Sequence, residues 1–237
     1  MFDFKYVLRG LGMIFQPGLK RYVILPLLIS VLILSAFGWL AIEQFDATIN
    51  WLIPQDSWLQ WLNWLLWPLF VLTYLVLVFY GFTFVANLVG APFNSKLAEA
   101  VVARLDDSIE LPPSEPFFAD VSKSIGSEIR KMLYYLVRAI PLLILILVPG
   151  IGPFASLLWL LFSIWFMALE YVAYPLENQK LLFKEQKSLL RKKPISALSF
   201  GGGATLLLLI PIVNLAAMPA AVAGASIYWY EKLRQTG

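Results

Sequence analysis

Four stretches of this chain contain no Asp, Glu, Lys or Arg: residues 22–42, 57–95, 139–169 and 194–230. A helix that crosses the ~30 Å hydrocarbon core of a bilayer needs roughly 20 apolar residues. Each run reaches that length, and with 60% hydrophobic and only 14% charged residues the chain has too little polar surface to cover itself as a soluble globule. Backbone groups in lipid must be satisfied internally, which leaves an all-α integral membrane protein as the expected class. No short basic leader precedes the first run, so no removable signal peptide is expected.

The runs differ in design. The first, 21 residues long with Pro26 in its opening turns, reads as one transmembrane helix over about 22–42. In the second, residues 61–84 suit one crossing, extending to about 105, with Trp58, Trp61, Trp64 and Trp67 as an interfacial belt. The third and fourth are interrupted near their middles by "LVPGIGP" (147–153) and "LIPIVNLAAMP" (209–219), and neither is long enough for two full spans. They read as re-entrant helical hairpins over about 139–169 and 204–230, whose broken tips require burial in protein or access to water. The whole chain, 1–237, is then a single membrane domain with two long transmembrane helices, two partly penetrating hairpins and cytoplasmic amphipathic helices at about 115–138 and 170–193.

Charge placement fixes the orientation, because short cytoplasmic loops are rich in Lys and Arg. Residues 1–21 carry four cations and one acid, whereas Glu43, Asp46 and Asp56 face no cation in the loop that follows. The N-terminus is therefore inside. A single crossing by the third run would strand Lys180, Lys184, Lys187, Arg191, Lys192 and Lys193 outside. A hairpin returns them to the cytoplasm, and the same reading of the fourth run puts the C-terminus inside as well.

The absence of Cys and His removes thiol chemistry, imidazole metal ligands and the usual general base. With no triad, metal cluster or phosphate loop, the sequence predicts no enzyme, no cofactor and no metal. A net charge of +3 without a basic run interleaved with aromatics predicts no nucleic-acid partner. The bilayer is the expected partner. Ile125, Ile129, Leu133 and Val137 recur every four residues, an apolar stripe for packing against neighbours, for subunit assembly or for the membrane surface.

Two motifs can carry chemistry. In "PGLKR", Pro17 and Gly18 precede the first apolar helix, and the N–H groups of Gly18, Leu19 and Lys20 lack intrahelical partners. With Lys20 and Arg21 adjacent, the turn offers only donors and positive charge, which suits a deprotonated oxyanion, although two cations at a cytoplasmic helix end also serve as a plain anchor. In "LVGAPFNSKLAEAVVARL" (88–105), Pro92 is expected to bend or interrupt the helix, with Asn94 or Ser95 capping the one that follows. These three residues form either a structural hinge or the mouth of a water-filled path. Gly201–Gly203 reads as a flexible or closely packed start to the last hairpin.

Four stretches in order, "PGLKRYVILPLL" (17–28), "GAPFNSKLAEAV" (90–101), "YPLENQKLLFKE" (174–185) followed by Phe200 and Gly201, and "IPIVNLAAMPAAVAGAS" (210–226), together resemble the CysZ sulfate permease family of bacterial inner membranes. The resemblance implies sulfate uptake for cysteine biosynthesis, described for that family as proton-linked, by a homo-oligomer in the inner membrane. It implies a sulfate-binding turn in which Gly18 and Leu19 give backbone donors and Lys20 and Arg21 give charged ones. Lys20 departs from the commoner Arg, and an ammonium does not reproduce the bidentate guanidinium fork. Because no acid lies inside the charge-free runs, a channel-like path is expected. The competing class is a non-transporting scaffold that shapes membranes with its hairpins.

Overall fold

The computed structural model describes residues 3–52, 61–109, 112 and 117–236, and all the regular structure among these is helical. In chain order the helices are α1 (Lys5–Met13), α2 (Arg21–Leu52), α3 (Trp61–Leu105), α4 (Phe117–Ile146), α5 (Gly152–Asn178), α6 (Phe183–Lys192), α7 (Pro194–Leu208) and α8 (Pro211–Tyr228). A π turn (Trp229–Leu233) and a 3-10 turn (Arg234–Thr236) follow. Among the described residues, α2 over Arg21–Phe45 and α5 over Gly152–Asn178 are long and apolar enough to cross a membrane. The chain gathers into two compact units, one of residues 1–22 with 94–237 and one of residues 23–93.

Helix boundaries follow the breakers rather than the charges. The first long helix continues ten residues past its expected end, through Glu43 to Leu52, because no Pro or Gly lies between Gly38 and Pro54. The α3 helix passes through Pro92 unbroken to Leu105, which corrects the expected interruption and places Asn94 and Ser95 inside a helix rather than at its cap. The expected amphipathic helix and the first arm of the first hairpin are one continuous element, α4. The expected helix at 170–193 is instead split between α5 and α6, where Lys180 adopts a left-handed φ of 60° and the Leu181 N–H returns to the Leu176 carbonyl. The last hairpin begins at Pro194, and α5, α7 and α8 each carry Pro within their first two positions, where its missing N–H is harmless. Trp58, Asp56 and the first two residues of the expected helix at 115–138 lie outside the described residues.

In the unit of residues 23–93, Phe45 stacks on Phe70 at 4.0 Å between ring centroids and meets Trp67 edge-on at 5.1 Å. Gly38 leaves the space that the Tyr74 phenol fills. Ser30, inside α2, donates to the Pro26 carbonyl at 2.8 Å.

The other unit is built around α8, whose Ala217, Ala220, Ala221, Ala223 and Ala225 are buried. Such small side chains let backbones approach. Gly10 of α1 lies against the Ala220 carbonyl and the Gly224 backbone, and a Cβ on Gly224 would stand 2.6 Å from the Tyr6 carbonyl. Gly201 meets the Ile164 carbonyl of α5, and Gly203 would clash with Phe4, so the glycine triplet serves close packing. Polar locks surround this contact. The buried Asp3 carboxylate accepts from Lys232 Nζ at 2.7 Å and from Ser196 Oγ at 2.7 Å, while Arg9 pairs with Glu231 at 2.8 Å.

The two glycines of α1 make opposite predictions. Gly10→Ala inserts a methyl into backbone and should cost about 1–3 kcal/mol of stability. Gly12→Ala meets nothing within 4 Å and should stabilise by up to about 1 kcal/mol through helix propensity. Thermal melting of the purified variants checks both.

Acid should also loosen this contact. Burial works against the Asp3 carboxylate, but hydrogen bonds from Lys232 and Ser196 outweigh it and hold its pKa below the usual carboxylate value. Its stabilisation is complete above about pH 4 and is lost as pH falls through the folded-state pKa. Lys232 is a third exposed, so Asp3→Asn should cost about 1–3 kcal/mol at neutral pH, less than for a fully buried pair. The variant should also flatten the acid limb of the melting-temperature profile, and unchanged limbs would contradict this account.

Candidate functional site: a cationic turn before the first long helix

The turn between α1 and α2 is made by three sequence features. Pro17 cannot continue a helix, Gly18 takes a left-handed φ of 88°, and Leu19 is 3% exposed and anchors the turn in the core. The Gln16 carbonyl then accepts from the N–H groups of both Leu19 (3.1 Å) and Lys20 (3.2 Å), and the Tyr22 N–H bonds to Leu19. This corrects the expected donor set: Leu19 and Lys20 spend their N–H groups internally. Among the described residues, the N–H groups of Gly18 and Arg21 are the ones at this turn with no backbone partner.

Lys20 and Arg21 both reach solvent. Arg21 donates to the Tyr22 hydroxyl at 2.9 Å, with its guanidinium 4.8 Å from the ring centre. A third cation, missed by sequence reasoning, binds the same turn. Arg104, in the last turn of α3, donates through Nη1 to Gln16 Oε1 at 3.0 Å and through Nη2 to the Pro17 carbonyl at 2.9 Å. A side chain on Gly18 would meet that guanidinium at 3.7 Å. Among the described residues, none of the three cations has a carboxylate within ion-pair distance. Lys96, close by in sequence, does not share this state, because Glu99 holds it at 2.8 Å.

The second motif serves a different contact. Asn94 is buried, and Ser95 exchanges two hydrogen bonds with Asn178 at the end of α5, donating through Oγ at 2.8 Å and accepting from Nδ2 at its carbonyl at 2.9 Å. Pro92 is exposed in the middle of α3. A cleft of ≈ 620 Å³ lies elsewhere, lined by Gln179, Glu185, Ser108 and Arg234 among others, and its mixed charge does not match the cationic turn.

The turn sits inside a recognisable sequence. Residues 6–219 match the family model described as Sulfate transporter CysZ/Etoposide-induced protein 2.4. The chain belongs to that CysZ family. Proteins named Sulfate transporter CysZ from Pseudomonas aeruginosa PAO1 and Pseudomonas fluorescens Pf0-1 are each 42% identical to it over 228 residues, covering 95% of this chain and 93% and 91% of theirs. The namesake from Pseudomonas paraeruginosa PA7 is 43% identical over the same length. The CysZ match spans the turn and Arg104 together, and the relatives' names are those of a transporter rather than an enzyme.

The geometry of the turn has two separable supports. Gly18→Ala forces a side chain into left-handed backbone and should cost about 1–2 kcal/mol. Arg104→Gln removes two charge-assisted hydrogen bonds in an exposed setting and should cost about 1 kcal/mol. Hydrogen exchange at residues 16–21 should rise in both variants while exchange in α8 stays unchanged.

Proposed function

We propose that this chain conducts sulfate across the bacterial inner membrane, supplying sulfur for cysteine biosynthesis, and that the Gly18-Leu19-Lys20-Arg21 turn is its sulfate-binding site. The observation that carries this reading is the glycine turn itself, which Lys20 and Arg21 follow and to which Arg104 is bound through Gln16 and Pro17, with no carboxylate among the described residues in ion-pair distance of the three. Such an arrangement attracts a tetrahedral dianion, and free N–H groups at a helix start add donors without bringing an acceptor. The transporter names of the CysZ relatives support the same substrate.

The proposed topology keeps both termini cytoplasmic, with α2 and α3 crossing and the α4–α5 and α7–α8 hairpins entering from the inside. At 1.5 Å per residue, α7 and α8 are about 22 and 27 Å long, short of a ~30 Å core. Exposed Leu143, Ile144, Leu147, Phe154 and Leu158 give the first hairpin a surface suited to lipid. Ile125, Ile129, Leu133 and Val137 are all exposed, so the α4 stripe is uncovered among the described residues and suits a homo-oligomer or the membrane surface. The proposed hinge or inner mouth at the Pro92, Asn94 and Ser95 motif is supported at Ser95, whose two hydrogen bonds tie it to Asn178 at the end of α5.

The permeation path is channel-like in this reading. Moving a dianion against 100 mV, negative inside, opposes uptake by about 4.6 kcal/mol, at about 2.3 per charge, so uptake follows consumption of sulfate inside the cell. Lys131 engages two carboxylates of the α4–α5 hairpin, bonding Glu128 at 2.8 Å and Glu170 at 3.1 Å.

Two measurements test this. Sulfate binding to purified protein should weaken about tenfold or more in Lys20→Ala/Arg21→Ala, each lost charged hydrogen bond being worth about 1.5–3 kcal/mol before screening. Unchanged affinity in the correctly inserted variant would return both residues to a topological anchor. Sulfate flux into proteoliposomes should proceed without an imposed pH gradient; a strict gradient requirement would exclude the channel form, and bilayer remodelling without flux would favour the scaffold reading.

A further inference from the structure

Helix α4 presents Arg130, Tyr134 and Arg138 at successive turns, and α6 faces them with Phe183, Lys184 and Lys187 across a cleft of ≈ 530 Å³. Aromatic rings hold the cationic groups in place. The Arg138 guanidinium lies 3.9 Å from the Tyr134 ring centre and donates to the Tyr134 carbonyl at 3.2 Å, while Lys187 Nζ stands 5.2 Å from Tyr134 and 5.0 Å from Phe183. The Tyr134 hydroxyl accepts from Trp165 Nε1 at 3.0 Å, which fixes the ring against α5.

Among the described residues, none of these four cations has a carboxylate within ion-pair distance. The nearby acids are committed elsewhere. Glu128 and Glu170 both engage the buried Lys131, and Glu185 lines a different cleft. Burial, with the charges of Arg191 and Arg138, pushes the Lys187 ammonium below its ordinary pKa, so the cluster repels itself. An anion in the cleft would relieve that repulsion.

The walls say which kind of anion. Leu133 and Val137 complete the cleft and are 55% and 66% exposed. Beyond them α4 continues with exposed Leu136, Ile140, Leu143 and Ile144, and the charge-free run begins at residue 139, directly after Arg138. The cations therefore stand where a polar zone gives way to a continuous apolar strip. A hydrated free oxyanion gains nothing from that strip, whereas acyl chains do.

We propose that the cleft between α4 and α6 binds the phosphate headgroup of an anionic phospholipid, with its acyl chains lying along the exposed apolar face of α4. Basic pockets at the cytoplasmic edge of membrane helices suit such headgroups. The proposal rests on placing the α4–α5 hairpin in the bilayer and not on sulfate conduction, so either can fail without the other.

Native mass spectrometry of the full chain, titrated with phosphatidylglycerol or with phosphatidylcholine, tests it. Phosphatidylglycerol should be retained in preference, and Arg138→Gln/Lys187→Gln should weaken its retention roughly twenty-five-fold, from a factor of about five for each cation removed. The charge-conserving Arg138→Lys/Lys187→Arg variant should keep most of the preference, which separates charge from folding. If the Gln variant does not purify as a monodisperse species, Lys184→Glu, at an exposed position in the same cleft, takes its place and should show the same direction. Equal retention of the two lipids, or undiminished retention in the charge-removing variants, overturns the proposal. Displacement of phosphatidylglycerol by millimolar inorganic sulfate or phosphate would also overturn it and make the cleft a free-oxyanion site.

Discussion

Much of the larger unit depends on how closely α1 can approach α8. Where Gly10 meets Ala220 and Gly224, no side chain separates the two backbones, so the helices are held by contact that a single methyl would spoil. Such close approach brings dense van der Waals contact between the two helices, and each added atom of separation would forfeit part of it. The Asp3–Lys232 and Arg9–Glu231 pairs tie the N-terminal segment and α1 to the π turn that follows α8. They contribute register as much as energy, because either pair breaks if α1 slides by a turn. Since α1 leads straight into the Gly18 turn, the position of the cationic site is inherited from this contact.

What could be read in advance depended on whether a signal was local. The charge-free runs, the breaks at Pro149-Gly150 and Ile210-Pro211, and the glycine turn at Gly18 are all written in adjacent residues, and the helices end where those residues require. Pro92 was legible as an irregularity but not in its outcome, since a proline can bend a helix or end it, and the 45-residue α3 does not end there. The first long helix passes its first acid because Glu43, Gln44 and Asp46 are all compatible with helix, so a charge marks no boundary there.

The parts of the site that were not legible join distant positions. Lys20 and Arg21 declare themselves beside a glycine, but Arg104 looks like an ordinary basic residue in a helical last turn. Nothing near it announces a bond to Pro17, 87 residues away. The donor set was also misread for a tertiary reason: which N–H groups at a helix start stay free depends on where the preceding carbonyl points, and the Gln16 carbonyl points at two of them. The same limit applies to the α4–α6 cleft, where Arg138 and Lys187 are remote in sequence and meet only because Tyr134 and Phe183 pack together at 5.4 Å.

The choice of acceptors for Arg104 has a further consequence. A carboxylate would have immobilised that guanidinium equally well, but it would have cancelled its field. A side-chain amide and a main-chain carbonyl immobilise it and leave its full charge. If the turn is the sulfate site proposed above, it is ordered before any anion arrives, and an arriving anion would displace no negative group among the described residues. It would meet a cation that is already stationary, so less conformational freedom would be surrendered on capture. Release would be eased for a related reason: the arginine keeps its neutral partners throughout, and no rival ion pair must form before the anion can go.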